Sequence, residues 1–237
     1  MTIARSVLFN LYFFGFTFIL TLIATVLRFV APGRVLGFAR FWARSMIWGA
    51  RAICGIRMEV SGQENLPPGP AVIASRHESA FDIVAWLVLV PSACFVVKKE
   101  LVQIPLFGGL IVASQMIPVD REAGGSAIRA LLRGGARAKK AGRQIVIFPE
   151  GTRAEPGIPL PLHPGVAALA THTGLPIVPV MTDSGRCWGK RAFRKRAGTI
   201  HIAIRPALVP NIGRDALFAA LRTEFAVHAL LDRAKEP

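Results

Sequence analysis

From Ser6 to Leu27 the chain carries no charged residue. The run Val-Leu-Phe-Asn-Leu-Tyr-Phe-Phe-Gly-Phe-Thr-Phe-Ile-Leu-Thr-Leu-Ile-Ala-Thr-Val-Leu is long enough to span a bilayer's hydrocarbon as a helix, which needs about 20 apolar residues. Three readings compete: a spanning helix, a helix dipping into one leaflet, and a cleaved signal peptide. The stretch is longer than a usual signal core and no small-x-small site follows it, so cleavage is disfavoured. The other two readings stay open.

After Pro32-Gly33 a second helix is expected over about Val35 to Ile53. At 100° per residue, Arg40, Arg44 and Arg51 share a narrow sector, with Phe38, Trp42, Met46 and Ile53 roughly opposite. Such a helix suits the headgroup plane, arginines toward lipid phosphate; its apolar face is also compatible with a protein core, and membrane contact is the favoured reading. Only Arg5 precedes the apolar run, whereas Arg28, Arg34, Arg40, Arg44 and Arg51 follow it. The positive-inside rule then keeps the C-terminal side in the cytoplasm, so the expected location is the cytoplasmic (inner) membrane with the main domain on its cytoplasmic face.

Composition supports that placement. The 237 residues are 52% apolar and carry a formal charge of +15, with a mean hydropathy of +0.46. High charge with high hydropathy suits anionic membrane lipids as partners better than nucleic acid. The sole tyrosine, Tyr12, lies inside the apolar run, and no nucleic-acid motif accompanies the basic residues. Cys54, Cys94 and Cys187 are odd in number and widely spaced, which argues against a disulfide framework or a zinc site and for buried thiols in a reducing compartment.

From about Arg57 onward, short apolar runs alternate with amphipathic stretches. Strands are expected at Arg57–Val60, Ala71–Ser75, Cys94–Val97, Met116–Val119, Ile145–Phe148, Ile177–Val180 and Ile200–Ile204. Most are continuously apolar, as strands covered on both faces tend to be. Helices are expected near Phe81–Leu89, Leu106–Val112, Ser126–Lys140, Val166–His172 and Arg214–Leu231. The fold class is therefore α/β: a single mixed, mostly parallel sheet of about seven strands flanked by helices, preceded by a membrane-associating two-helix segment. The expected division is residues 1–55 for the anchor and 56–237 for the main domain.

His77 follows the second strand directly, and Asp82 falls near the start of the next helix. An imidazole accepts a proton best when its other nitrogen donates to a carboxylate, which fixes the tautomer and stabilises the imidazolium. The edge of an open α/β sheet is where such chemistry is usually placed. Three further blocks follow in order: Ile117-Pro-Val-Asp-Arg121, Ile147-Phe-Pro-Glu-Gly-Thr-Arg153 and Leu175-Pro-Ile-Val-Pro179-Val180. Each is a strand or a strand end, so all can converge on one sheet edge. Arg121 and Arg153 offer planar forks suited to phosphate, and Lys98 with Lys99 adds charge after the third strand. Gly151 lets backbone approach a ligand, and Glu150 is placed to orient the arginines or bind a substrate hydroxyl. Taken singly, each arginine also reads as a surface charge and Glu150 as half of a structural ion pair; their joint occurrence is harder to dismiss. Arg129, Arg133, Arg137 and Lys140 read as a solvated helix face, with attraction to anionic lipid as the alternative. The run Arg186, Lys190, Arg191, Arg194, Lys195, Arg196, with Trp188 and Phe193, reads as a loop near the membrane or an anionic substrate.

These blocks resemble the glycerolipid acyltransferase family, and within it the 1-acyl-sn-glycerol-3-phosphate acyltransferases. The phrase Phe148-Pro-Glu-Gly-Thr-Arg153 is highly specific, and Lys98-Lys-Glu-Leu101, Ile104-Pro105 and Phe107-Gly108 resemble the family's segment between the first two blocks. The likeness covers about Val60 to Val180. It implies transfer of an acyl group from acyl-CoA or acyl-carrier protein to the sn-2 hydroxyl of lysophosphatidic acid, giving phosphatidic acid, with no metal or other cofactor. It implies that His77 takes the hydroxyl proton while Asp82 holds the imidazole, without a covalent acyl-enzyme. It further implies that Arg121, Glu150, Gly151, Thr152 and Arg153 bind the glycerophosphate group, assisted by Lys98. A backbone N–H near Gly151 is a candidate oxyanion donor. Two departures from the family pattern bear on the head group: Arg76 precedes the histidine where many members have Asn or Lys, and His163 stands before Pro164-Gly165 where many have Lys. Two rival activities follow. One is the same transfer onto another lysolipid, such as a lyso-ornithine lipid. The other is thioester or lipid hydrolysis, against which stands the lack of a Gly-x-Ser-x-Gly elbow.

Overall fold

A computed structural model describes residues 2–209 and 212–233 of the chain. Two long helices, α1 (Thr2–Val30) and α2 (Val35–Cys54), form an antiparallel hairpin joined at Pro32–Arg34. Strands β1 (Ile56–Ser61), β2 (Val72–Ser75), β3 (Cys94–Lys98), β4 (Ile117–Val119), β5 (Ile145–Ile147), β6 (Ile177–Thr182) and β7 (Gly198–Ile204) make one sheet. Helices α3 (Phe81–Leu89), α4 (Phe107–Ala113), α5 (Gly125–Lys140), α6 (Gly165–Thr173), α7 (Ser184–Cys187) and α8 (Arg214–Arg233) connect and cover it. The seven strands and the five expected helices fall within a few residues of their sequence-based bounds; the short α7 carries no periodic signal and is additional.

The sheet order is β1-β7-β6-β2-β5-β3-β4. The five strands from β6 to β4 run parallel to one another, while β7 pairs antiparallel with β6 and parallel with β1. That reversal makes the sheet mixed. Every residue of β2, β5 and β6 is buried, which explains their unbroken apolar sequence. The loops after β2, β3, β4, β5 and β6 therefore leave the sheet at the same edge.

The hairpin packs on the domain. Phe9, Met46, Ala50 and Cys54 share one core cluster with Phe81, Trp86, Val146 and Ile200. Within the hairpin, the Tyr12 hydroxyl donates to the Ser45 carbonyl at 2.9 Å, and the Trp42 indole N–H donates to Thr17 Oγ1 at 2.9 Å. Gly49 is required there, because a Cβ would run into the Tyr12 ring. The apolar face expected on α2 is thus turned inward: Met46 is buried, and Trp42 and Ile53 pack against the core, while Arg44 and Arg51 face out. On α1 a second face stays uncovered, with Leu11, Phe14, Phe18 and Val26 each at least 60% exposed. Among the described residues α1 is the one helix long and apolar enough to cross a membrane, and only 17% of its most apolar window is buried.

Candidate active site

β2 ends at Ser75, and the chain crosses the sheet edge through Arg76–Ala80 before α3 begins. Asp82 lies in the first turn of α3, where a carboxylate is favoured by the helix dipole. Its Oδ2 accepts the backbone N–H of Glu78 at 2.8 Å and of Ser79 at 2.9 Å, which closes the turn. The same oxygen lies 2.8 Å from His77 Nδ1. With Asp82 accepting at Nδ1, the lone pair of a neutral ring is left on Nε2. The ring also stacks on Phe148, centroids 4.0 Å apart and planes 18° off parallel. Edge and face are both held, so the imidazole has one orientation.

The backbone of His77 is held from the other side by the block that follows β5. Its N–H donates to Glu150 Oε2 at 2.9 Å, and its carbonyl accepts the N–H of Ala154 at 2.7 Å. Those two contacts bracket Gly151-Thr152-Arg153. Glu150 itself departs from the sequence-based expectation: it is 3% exposed, faces inward, and does not line the cavity. An amide N–H inside the fold offers it a partner that a solvated substrate site would not. Burial pushes its carboxyl from 4.5 up to about 7, against the lowering effect of the His77 N–H and Arg76. Glu78 is raised further, to about 8, because burial outweighs its 2.8 Å contact with the Arg76 guanidinium. Arg76 points away from the cavity and donates to the carbonyls of Ile158 and Phe225 at 3.0 and 3.4 Å. It latches the segment after Arg153 and does not line the cavity.

Gly151 has φ +67°, in the left-handed region, and a Cβ there would lie 2.7 Å from the His163 ring and 3.5 Å from Arg121 Nη1. Its role is steric: it brings the His163 ring and the Arg121 guanidinium against the turn. Its N–H is already spent on the Phe148 carbonyl at 3.0 Å, so the expected oxyanion donor is not this one.

One cavity of about 750 Å³ joins these groups, within the roughly 300–1,000 Å³ usual for ligand sites. At its polar end stand His77, Lys98, Arg121, Gly151, Thr152 and Arg153. Lys99 instead pairs with Asp120 at 3.6 Å. Desolvation lowers the pKa of the Arg121 guanidinium. The rest of the wall is largely apolar and includes Leu20 and Ala24 of α1, Phe38 of α2, Leu87 of α3 and Ile111 of α4. Positions 13, 17, 20, 21 and 24 of α1 line it at helical spacing, so the helix runs along the cavity for about 17 Å. Lys190 and Arg191 reach the same cavity from the loop after α7. The stacking role of Phe148 and the amide contacts of Glu150 and Ala154 were not tied to the site by sequence. The basic run around 186–196 reads in sequence as a loop near the membrane or an anionic substrate, without singling out Lys190 and Arg191.

Residues 57–183 match the family model described as Acyltransferase. A 1-acyl-sn-glycerol-3-phosphate acyltransferase from Pseudomonas aeruginosa is 36% identical over 211 residues, covering 86% of this chain and 80% of its own. Proteins of that name from Cocos nucifera and, as the alpha form, from Homo sapiens are 32% and 30% identical. They align with 67% and 72% of this chain, which spans 51% and 61% of their length. The crystal structure of the 1-acyl-sn-glycerophosphate (LPA) acyltransferase from Thermotoga maritima superposes with a TM-score of 0.76 over 100% of both chains at 23% identity, a likeness of fold.

Proposed function

The chain belongs to the acyltransferase family, and from that premise we propose that it transfers an acyl group from a thioester to the sn-2 hydroxyl of lysophosphatidic acid, giving phosphatidic acid. One observation carries this reading: the open edge of an oriented imidazole faces a single cavity that is cationic at one end and apolar at the other. A lysophospholipid acceptor is anionic at its head, and the acyl chains of both substrates are apolar.

In this mechanism Nε2 of His77 takes the proton of the sn-2 hydroxyl as its oxygen attacks the thioester carbonyl. Asp82 keeps the tautomer and stabilises the imidazolium. The tetrahedral intermediate collapses with loss of the C–S bond, and the imidazolium returns its proton to the departing thiolate. The new ester C–O bond replaces the thioester, and no enzyme nucleophile takes part. Lys98, Arg121 and Arg153 hold the acceptor's phosphate, with Gly151 and Thr152 forming the turn between them. The Glu150 and Ala154 contacts hold that turn beside His77, as an acceptor whose phosphate neighbours its sn-2 oxygen requires. Of the two departures from the family pattern, His163 abuts Gly151 and so stands beside the acceptor end, which keeps another lysolipid acceptor in play.

The acyl donor is acyl-CoA or acyl-carrier protein. The exposed face of α1 sits in lipid of the cytoplasmic membrane, with the catalytic domain on the cytoplasmic side, as the basic residues after α1 favour. The deciding experiment mixes purified protein in vesicles with lysophosphatidic acid and a labelled acyl donor and identifies the product. Labelled phosphatidic acid is expected. Labelled free fatty acid alone points to hydrolysis and sinks the reading, and preference for another acceptor in a lysolipid panel corrects the head group.

A further inference from the structure

We propose that Lys190 and Arg191 form a second phosphate subsite, which grips the phosphates of a coenzyme A thioester donor; the inference rests on the acyl-transfer reading above. Both residues line the cavity that holds His77. Both are exposed, and among the described residues neither is paired with a carboxylate.

Sheet order separates them from the other cations. His77 follows β2, while Arg153 follows β5, Lys98 closes β3 and Arg121 follows β4, all on one side of β2. Lys190 and Arg191 follow β6 and α7, on the opposite side of β2. The base thus stands between two cationic banks at one sheet edge. A direct transfer without an enzyme nucleophile needs acceptor and donor at the base together. With the acceptor's phosphate on one bank, the leaving thiol and its carrier must extend over the other.

The loop is built to present this pair. Arg191 has φ +53°, a left-handed conformation that a non-glycine residue adopts only where its surroundings impose it. The Ala192 N–H donates to the Gly189 carbonyl at 3.1 Å, and the Arg196 N–H to the Cys187 carbonyl at 2.9 Å. Lys195, 3% exposed, ties the loop to α1 through Asn10 Oδ1 at 3.2 Å and lies 5.0 Å from the Trp188 ring. Ser6 Oγ accepts the Lys195 N–H at 2.9 Å. A loop held mainly for lipid contact would not need to turn two cations into the cavity. Phe193, Arg194 and Arg196 of the same loop are exposed and do not line it.

The test uses the full-length protein carrying Lys190→Ala and Arg191→Gly together. Glycine accepts the φ of position 191, so the loop keeps its path. Steady-state rates are measured with acyl-CoA and with S-acylpantetheine, which carries the same thioester and no phosphate. The expected result is a KM for acyl-CoA raised about tenfold or more, the loss of one or two charge-assisted contacts, with the acceptor KM unmoved and no matching rise for S-acylpantetheine. An unchanged acyl-CoA KM overturns the subsite, as does an equal loss with both donors or a rise in the acceptor KM alone. A rise confined to acyl-carrier protein assigns the pair to an acidic protein face, and weaker binding to phosphatidylglycerol vesicles with donor kinetics intact assigns it to lipid; either rejects the proposal. Direct binding of a non-reactive acyl-CoA thioether, without acceptor, separates this inference from the reaction itself. Binding that depends on Lys190 and Arg191 sustains the subsite even if lysophosphatidic acid proves not to be the acceptor.

Discussion

At the scale of single residues, the site is a set of fixed distances around one imidazole. His77→Ala removes the proposed proton acceptor and should lower kcat by about 10²–10⁴-fold, the usual contribution of a general base, with the melting temperature nearly unchanged; rates within a factor of two of wild type reject that role. Asp82→Asn presents an amide to Nδ1 and should cost a comparable factor through the tautomer. It should also cost stability, because Asp82 accepts the Glu78 and Ser79 N–H groups and so holds the turn that leads into α3. Glu150 gives a prediction with a pH sign. Its folded pKa, about 7, lies above its ordinary 4.5. The protonated form is the one the fold favours, so its contribution is complete below pH 4.5 and is lost as pH rises through about 7. Glu150→Gln keeps an oxygen for the His77 N–H and cannot ionise. Its stability relative to wild type should therefore improve between pH 5 and pH 8, by at most about 3 kcal/mol, while Glu150→Ala should be less stable at both. Urea melts at the two pH values decide it; a Gln variant that loses ground at pH 8 contradicts the burial argument. The identities of His77, Asp82, Arg121 and Arg153 were legible in sequence because their types and order are informative. Glu150's inward turn was not, because a carboxylate beside glycine and arginine reads the same whether it faces substrate or a backbone amide.

At the scale of elements, strands were easier to read than the spaces between them. β2, β5 and β6 are buried on both faces, so their sequences are apolar without interruption and declare themselves. The cavity could not be read in this way. Its walls come from α1, α2, α3, β3 and α4, and each contributes apolar residues that would look the same packed against a core. The wheel of α2 shows this ambiguity: the face opposite its arginines proved to hold both core residues, such as Met46, and cavity residues, such as Phe38 and Trp42. If the hollow between the hairpin and the domain receives the acyl chain, its depth limits chain length. Ala24 lines it far along α1 from Phe13. Ala24→Trp should fill that region and lower kcat/KM for long-chain donors about tenfold or more while sparing short ones, since each buried methylene is worth about 0.8 kcal/mol. A uniform loss across donors from eight to eighteen carbons places the chain elsewhere.

At the scale of the whole molecule, two surfaces bear on membrane attachment and their contributions can be separated. One is apolar: Phe14, Phe18 and Leu22 of α1 are 66%, 60% and 42% exposed and take no part in the core. The other is electrostatic: a formal charge of +15, much of it on α2 and the basic loop. Deleting the hairpin would not test the anchor, because Phe9, Met46 and Ala50 belong to the core and their loss would damage the fold itself. Replacing Phe14, Phe18 and Leu22 together by Ser leaves those packed residues in place. Each apolar side chain withdrawn from lipid costs about 1.5–3 kcal/mol, enough in sum to dominate attachment. Charge attraction to anionic lipid is screened within about 8 Å at physiological salt and about 3 Å at 1 M, so salt removes it selectively. Wild-type protein should stay with anionic vesicles in 1 M salt. The triple variant should bind at low salt through charge alone and dissociate in 1 M salt. Retention of the variant in high salt would show that α1 is not the element that holds this protein to lipid.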